Sequence, residues 1–92
     1  KNNIMVNKKE LARDLLELGK FYFFNERYDE ALRVIQKSIK LEPGDPEVYY
    51  NAGIVYEAKN DHIAAKEMYL KALELNPKFT LAQERLDKLV GK

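Results

Sequence analysis

The stretch KSIKLEP, Lys37–Pro43, returns 34 residues later as KALELNP, Lys71–Pro77, with Lys, Leu and Pro in the same places. Each copy reads as the end of a helix, because Pro lacks the N–H a helix needs and its ring collides with the preceding turn. The same offset sets Gly19 on Gly53, Tyr22 on Tyr56 and Ala31 on Ala65. These identities fall at small, aromatic and helix-stopping positions, where identity has a mechanical reason. Periods of about 20 to 50 residues mark stacked supersecondary units. Two copies of one unit are therefore present.

Each unit reads as two helices. Leu11, Leu15, Leu18 and Tyr22 recur at helical spacing, and Asn7 with Glu10 in NKKE forms a candidate N-terminal capping box. The second helix carries Ala31, Ile35, Ser38 and Ile39, with Leu32 and Val34 beside the stripe, and stops before Pro43 and Gly44. Asp45 and Pro46 open the second unit, since a carboxylate caps well and Pro is tolerated at the first helical position. Val48, Tyr49, Ala52 and Tyr56 continue that helix, and Asn60 and Asp61 mark its turn. Ile63, Ala65, Met68, Tyr69, Ala72 and Leu73 supply a fourth helix, closed by Pro77. A fifth is expected over Thr80–Val90, with Thr80 and Gln83 as a capping pair and Gly91 as its stop. No alternating pattern suggests a strand. The expected class is all-α.

Composition narrows the function. Lys and Arg number 16 against 15 acidic residues, a net of +1, so nucleic acid is not an expected partner. Cysteine is absent, which excludes disulfides and thiol catalysis. The longest apolar run is far too short for a membrane span, so no direct membrane insertion is expected. The single histidine, His62, aligns with Tyr28 and reads as a packing residue at its turn. It has no partners for proton transfer or metal ligation. No phosphate-cradling loop exists, because Gly19 and Gly53 sit singly within helices. No enzyme activity, metal or cofactor is expected. The chain begins with Lys, and Ile4, Met5 and Val6 read as belonging to an upstream context.

The 34-residue pattern resembles the tetratricopeptide repeat. The family's large, small and aromatic positions of the first helix fall on Leu15, Gly19 and Tyr22, then on Tyr49, Gly53 and Tyr56. Its second-helix series falls on Ala31, Ile35 and Ser38, then on Ala65, Tyr69 and Ala72, and its closing Pro on Pro43 and Pro77. Two departures stand out: Glu26 and Asn60 occupy turns where the family usually has Gly, and Leu15 is smaller than the expected aromatic. The resemblance implies antiparallel helix pairs in a right-handed superhelix, a single domain with a lead-in (1–11), repeat 1 (12–45), repeat 2 (46–79) and a capping helix (80–92). In the fifth helix Gln83 and Asp87 match Tyr49 and Gly53, so its outer face is polar, as a terminal cap requires. The N-terminal edge lacks such a cap, and two repeats are fewer than usually stand alone. Upstream repeats or self-association are expected.

In such stacks the first helix of each repeat lines a concave groove that receives a peptide. Transferred here, the groove is lined by Arg13, Leu16, Glu17, Lys20 and Phe24. Next come Glu47, Tyr50, Asn51 and Ile54, followed by Leu81, Glu84, Arg85 and Lys88. A helical wheel with Tyr22 pointing to the core divides the run FYFF, Phe21–Phe24. It sends Phe24 away from the core and leaves Phe21 and Phe23 on the flanks. Apolar groups interleaved with charge-assisted donors suit a partner peptide with apolar anchors and at least one carboxylate. One subclass of the family grips a terminal carboxylate through five side chains. Asn51 and Arg85 match it, whereas Leu16, Lys20 and Leu81 do not, so a chaperone tail is not expected. The expected function is a protein-interaction scaffold. Homo-oligomerisation through the N-terminal edge and a regulatory fragment of a larger protein are the alternatives.

Overall fold

The computed structural model describes residues 7–92, so the reading of Ile4, Met5 and Val6 lies outside the described residues. It contains five helices: α1 (Lys8–Phe24), α2 (Tyr28–Leu41), α3 (Pro46–Ala58), α4 (His62–Leu75) and α5 (Thr80–Leu89). The closest packing joins α1 to α2 and α3 to α4, while α3 also lies on α2 and α5 on α4. The last residues of the expected lead-in are therefore already helical.

The helix ends follow from local chemistry. Asn7 caps α1 by accepting from the Lys9 and Glu10 amides at 3.0 and 3.3 Å. Asp45 accepts from the Glu47 amide at 3.0 Å, with Pro46 just inside α3. Asp61 does the same for Ala64 in α4. At the other ends, Glu26 and Asn60 occupy the left-handed region at φ 61° and 64°, and Gly91 lies at 84°. Each sits one position past the C-cap residue of a helix whose last carbonyls accept two crossed amides. Arg27 to Tyr22 and Glu26 to Phe23 close α1, and Asp61 to Tyr56 and Asn60 to Glu57 close α3. Lys92 to Asp87 and Gly91 to Lys88 close α5. This is the Schellman arrangement, which normally uses Gly. The turn lacking Gly keeps its geometry, at a steric cost to Glu26.

Two sequence expectations change here. Thr80 is not the cap of α5: it is the first helical residue, the preceding Phe79 makes no side-chain cap, and Gln83 bonds to Asp87 at 2.9 Å instead. That bond still leaves the outer face of α5 polar. His62 is exposed at the start of α4, whereas its counterpart Tyr28 packs against Phe23 with ring centroids 5.7 Å apart. The counterpart of Phe23 in the second repeat is Glu57, so no ring stands where the same contact would form.

The core is built at two close approaches related by the repeat. At Gly19 an added Cβ would lie 2.7 Å from Cγ1 of Ile35; at Gly53 it would strike the ring of Tyr69. Ile35 and Tyr69 are both fully buried. Burying each large apolar side chain contributes about 1.5 to 3 kcal/mol. Ser38, also fully buried, donates to the Ala12 carbonyl at 2.7 Å and ties α2 to α1. Among the described residues no buried side-chain polar atom lacks a partner.

The phase of α1 departs from the wheel. Its buried stripe is Ala12, Leu16 and Gly19, with Phe23 half-buried below them, about a quarter-turn from the Tyr22 direction. Leu11 and Leu18 are 39% and 38% exposed. The reason is positional. In α3, Ala52 and Val55 are buried in the cluster that includes Leu32 and Ile35 of α2, whereas their counterparts Leu18 and Phe21 meet no preceding helix among the described residues. Burial in α1 consequently rotates toward α2 and α3.

Candidate functional site

A groove runs across α1, α3 and α5, and its deepest part is apolar. A cavity of about 300 Å³ is lined by Lys20, Phe23 and Phe24 of α1, Ile35 of α2, and Tyr50, Asn51, Ile54 and Val55 of α3, with Gly19 at its base. A wider recess of about 440 Å³ continues past Tyr50 and Asn51 to Phe79 and Leu81, bounded by Glu47 and Asn76. The two share Lys20, Tyr50 and Asn51.

The rings are placed by packing. Phe23 is wedged between Phe24 and Tyr28, each with its ring centroid 5.7 Å away. Phe24 stands at the rim, 79% exposed. Tyr50 is held by Phe79 at 5.1 Å and Tyr69 at 6.1 Å, which fixes the ridge between the two recesses. Asn51 donates to the Glu47 carbonyl at 2.8 Å, so its amide is partly committed to its own helix.

The charges form two networks. Glu47 accepts from Arg13 at 2.8 Å through one carboxylate oxygen and from Lys20 at 3.2 Å through the other. Arg13 also reaches Asp45 at 3.4 Å, and Lys20 reaches Glu17 at 3.2 Å. The Arg13 hydrogen bond holds the Glu47 carboxyl below its usual range, with Lys20 adding to it against partial burial. Burial opposes the charge on Lys20, but its bonds to Glu47 and Glu17 raise its pKa overall. In the second network, Tyr69 donates to Glu57 at 2.6 Å and Arg85 donates to the same oxygen at 3.1 Å. Burial, then the Glu57 bond, pushes the Tyr69 phenol well above its ordinary value. This second network braces α3, α4 and α5 and so sets the groove's far wall.

Most expected groove residues are brought together here. Lys20, Phe24, Tyr50, Asn51 and Ile54 line the apolar cavity; Glu47 and Leu81 line its extension. Arg13, Glu17 and Arg85 sit in the ion-pair networks instead. Glu84 and Lys88 are exposed on α5 and line neither recess. Leu16 is corrected: it is fully buried in the core under Val48 and Ala52, for the rotational reason given above, and presents no groove surface. Phe23 and Phe79 belong to the groove although the wheel put one on a flank and passed over the other. The signal for Phe79 was its repeat counterpart Asp45, the cap beside the groove-lining Glu47. Among the described residues no cluster of His, Asp and Glu could hold a metal ion, and no helix is long and apolar enough to cross a membrane.

Stacked antiparallel helix pairs with close approaches at a 34-residue offset define a helical-repeat interaction module. Residues 10–78 match the family model for the tetratricopeptide repeat, and the chain belongs to that family. It is similar to protein SLOW GREEN 1, chloroplastic, of Arabidopsis thaliana, 34% identical over 68 residues, covering 73% of this chain and 22% of that protein. It is also similar to uncharacterized protein ycf37 of Guillardia theta, 30% identical over 86 residues, covering 94% and 48%. The chain thus spans less than half the length of these relatives. Among solved structures, the first tetratricopeptide domain of Spaghetti (RPAP3), described as bound to the HSP90 peptide SRMEEVD, matches with a TM-score of 0.85. That match has 27% identity and covers 88% of this chain and 66% of the other. The five-helix architecture is that of the tetratricopeptide solenoid.

Proposed function

We propose that this chain holds a segment of a partner protein in the groove across α1, α3 and α5. The segment is anchored by an apolar side chain in the cavity beside Phe24. The observation that carries this reading is the cavity itself: Phe23, Phe24, Tyr50, Ile54 and Val55 surround about 300 Å³ that is open to solvent. An exposed ring at the rim of an apolar recess is costly to leave wet and marks an interaction site. The similar domain described with a bound peptide supports the same use of the fold. Binding to an array of acetylated, amidated peptides carrying Leu or Phe anchors tests it. Phe24→Ala should weaken the best array peptides about tenfold, the scale of a truncated aromatic anchor. Ile54→Ala should act in the same direction and Glu84→Ala should change little. Equal binding by all three variants would remove the groove from the account.

A second reading rests on a separate observation. Leu11, Leu18 and Phe21 are exposed together on the outer side of α1, where the repeat would receive another helix. Self-association through this face predicts a molar mass that rises with concentration in light scattering. A constant monomer mass at high concentration sinks it.

A further inference from the structure

The cations that flank the two recesses, Arg13 and Lys20 of α1 and Arg85 of α5, are already occupied. Arg13 and Lys20 project from α1 toward α3, where an anionic ligand would naturally be held. Both are bound instead by the same residue, Glu47, one through each carboxylate oxygen, at 2.8 and 3.2 Å. Asp45 and Glu17 add further carboxylates at 3.4 and 3.2 Å from these cations. Three carboxylates thus surround two cations. The third basic residue, Arg85, is held by Glu57 at 3.1 Å. A carboxylate approaching Lys20 from the groove would meet Glu47 at its back, and like charges at that range repel strongly near a protein surface. The adjoining apolar cavity is not affected, since its walls apart from Lys20 and Asn51 are rings and aliphatic chains.

We propose that Glu47 is a built-in competitor for Arg13 and Lys20, one that sets the groove's specificity: it closes the site to acidic tails and leaves it selective for uncharged, apolar-anchored segments. The proposal rests on the groove reading above and sharpens it by excluding one ligand class. It also revises the sequence expectation of a partner carboxylate, because three of the four basic side chains expected in the groove, Arg13, Lys20 and Arg85, are paired inside the protein and the fourth, Lys88, lines neither recess.

Glu47→Gln tests the idea while keeping the side chain's shape and leaving intact the Asp45 bond to the residue-47 amide. Two probes are titrated by fluorescence anisotropy at low salt. One is the acidic peptide SRMEEVD, which the structurally similar domain is described as binding. The other is the tightest amidated apolar peptide from the array. The wild-type protein should bind the apolar peptide and hold SRMEEVD only weakly. Glu47→Gln should tighten SRMEEVD at least about tenfold relative to the apolar peptide, the scale of one recovered charge-assisted contact. The double variant Glu47→Gln with Lys20→Ala should lose the gain, and circular dichroism of each variant separates this from misfolding. If the apolar peptide binds and Glu47→Gln leaves SRMEEVD unchanged, the competitor role is wrong while the groove stands. A gain that survives Lys20→Ala also overturns the role. If the apolar peptide does not bind at all, the groove reading itself has failed.

Discussion

Gly53→Ala is the sharpest test of the packing that holds the groove open. The new methyl would strike Cε1 of Tyr69, with Cδ1 at 2.7 Å and Cζ at 2.9 Å. The ring cannot step aside. It is fully buried, its hydroxyl is tied to Glu57 at 2.6 Å, and Tyr50 stacks against it at 6.1 Å. Accommodation must therefore come from separating α3 and α4. Overpacking by one methyl costs about 1 to 3 kcal/mol in a well-packed core. Replacing a mid-helix Gly by Ala returns about 1 kcal/mol of helix propensity. Because the ring is fixed, the cost falls in the upper part of that range, about 2 to 3 kcal/mol, so the net is a loss of roughly 1 to 2 kcal/mol, or a midpoint lowered by about 5 to 15 °C for a domain of this size. Urea unfolding followed at 222 nm, with the slope checked for constancy, measures it. Gly19→Ala is the control: the methyl would lie 2.7 Å from Cγ1 and 3.1 Å from Cδ1 of Ile35, one atom within 3 Å against three ring atoms at Gly53, so its loss should be smaller. A Gly53→Ala protein as stable as wild type would show that propensity outweighs the close approach and that α3 and α4 pack loosely.

Three further outcomes follow from the ends of the helices and from the groove's charges. Glu26→Gly should raise stability by about 1 kcal/mol in thermal unfolding, because Gly removes the left-handed strain at φ 61°. Asn60→Gly should gain less, since Asn tolerates φ 64° better. The Glu47 carboxyl, lowered in the folded state by Arg13 and then Lys20, binds fewer protons folded than unfolded as pH falls. Its stabilising contribution is present above the ordinary carboxylate pKa and is lost as pH drops through the lowered folded value. Glu47→Gln should therefore flatten the acid limb of the stability curve, and an acid limb as steep as wild type would contradict the ion-pair geometry.

The sequence made the repeat legible because its identities fall where geometry leaves little choice. Gly19 and Gly53 face Ile35 and Tyr69, and Pro43 and Pro77 follow helix ends. The groove was legible through the same register, which carried Phe24, Tyr50, Asn51 and Ile54 to one surface. Leu16 is misplaced by the transfer of family positions, because burial in α1 rotates toward α2 and α3 where no helix packs on its other side among the described residues. The pairing of Arg13 with Glu47 was missed although its signal is plain in retrospect: the two are separated by one repeat, and equivalent positions of adjacent units stand side by side. Lys20 with Glu47 had no such signal, since it depends on how α1 and α3 cross.

The proposed partner site is the groove and not another face of the solenoid. Amide chemical shifts of the labelled chain, titrated with the tightest array peptide, locate the contact residue by residue. The largest changes are expected at Lys20, Phe23, Phe24, Tyr50, Asn51 and Ile54, extending to Phe79 and Leu81. Changes confined to Leu11, Leu18 and Phe21 on the outer side of α1 would contradict it.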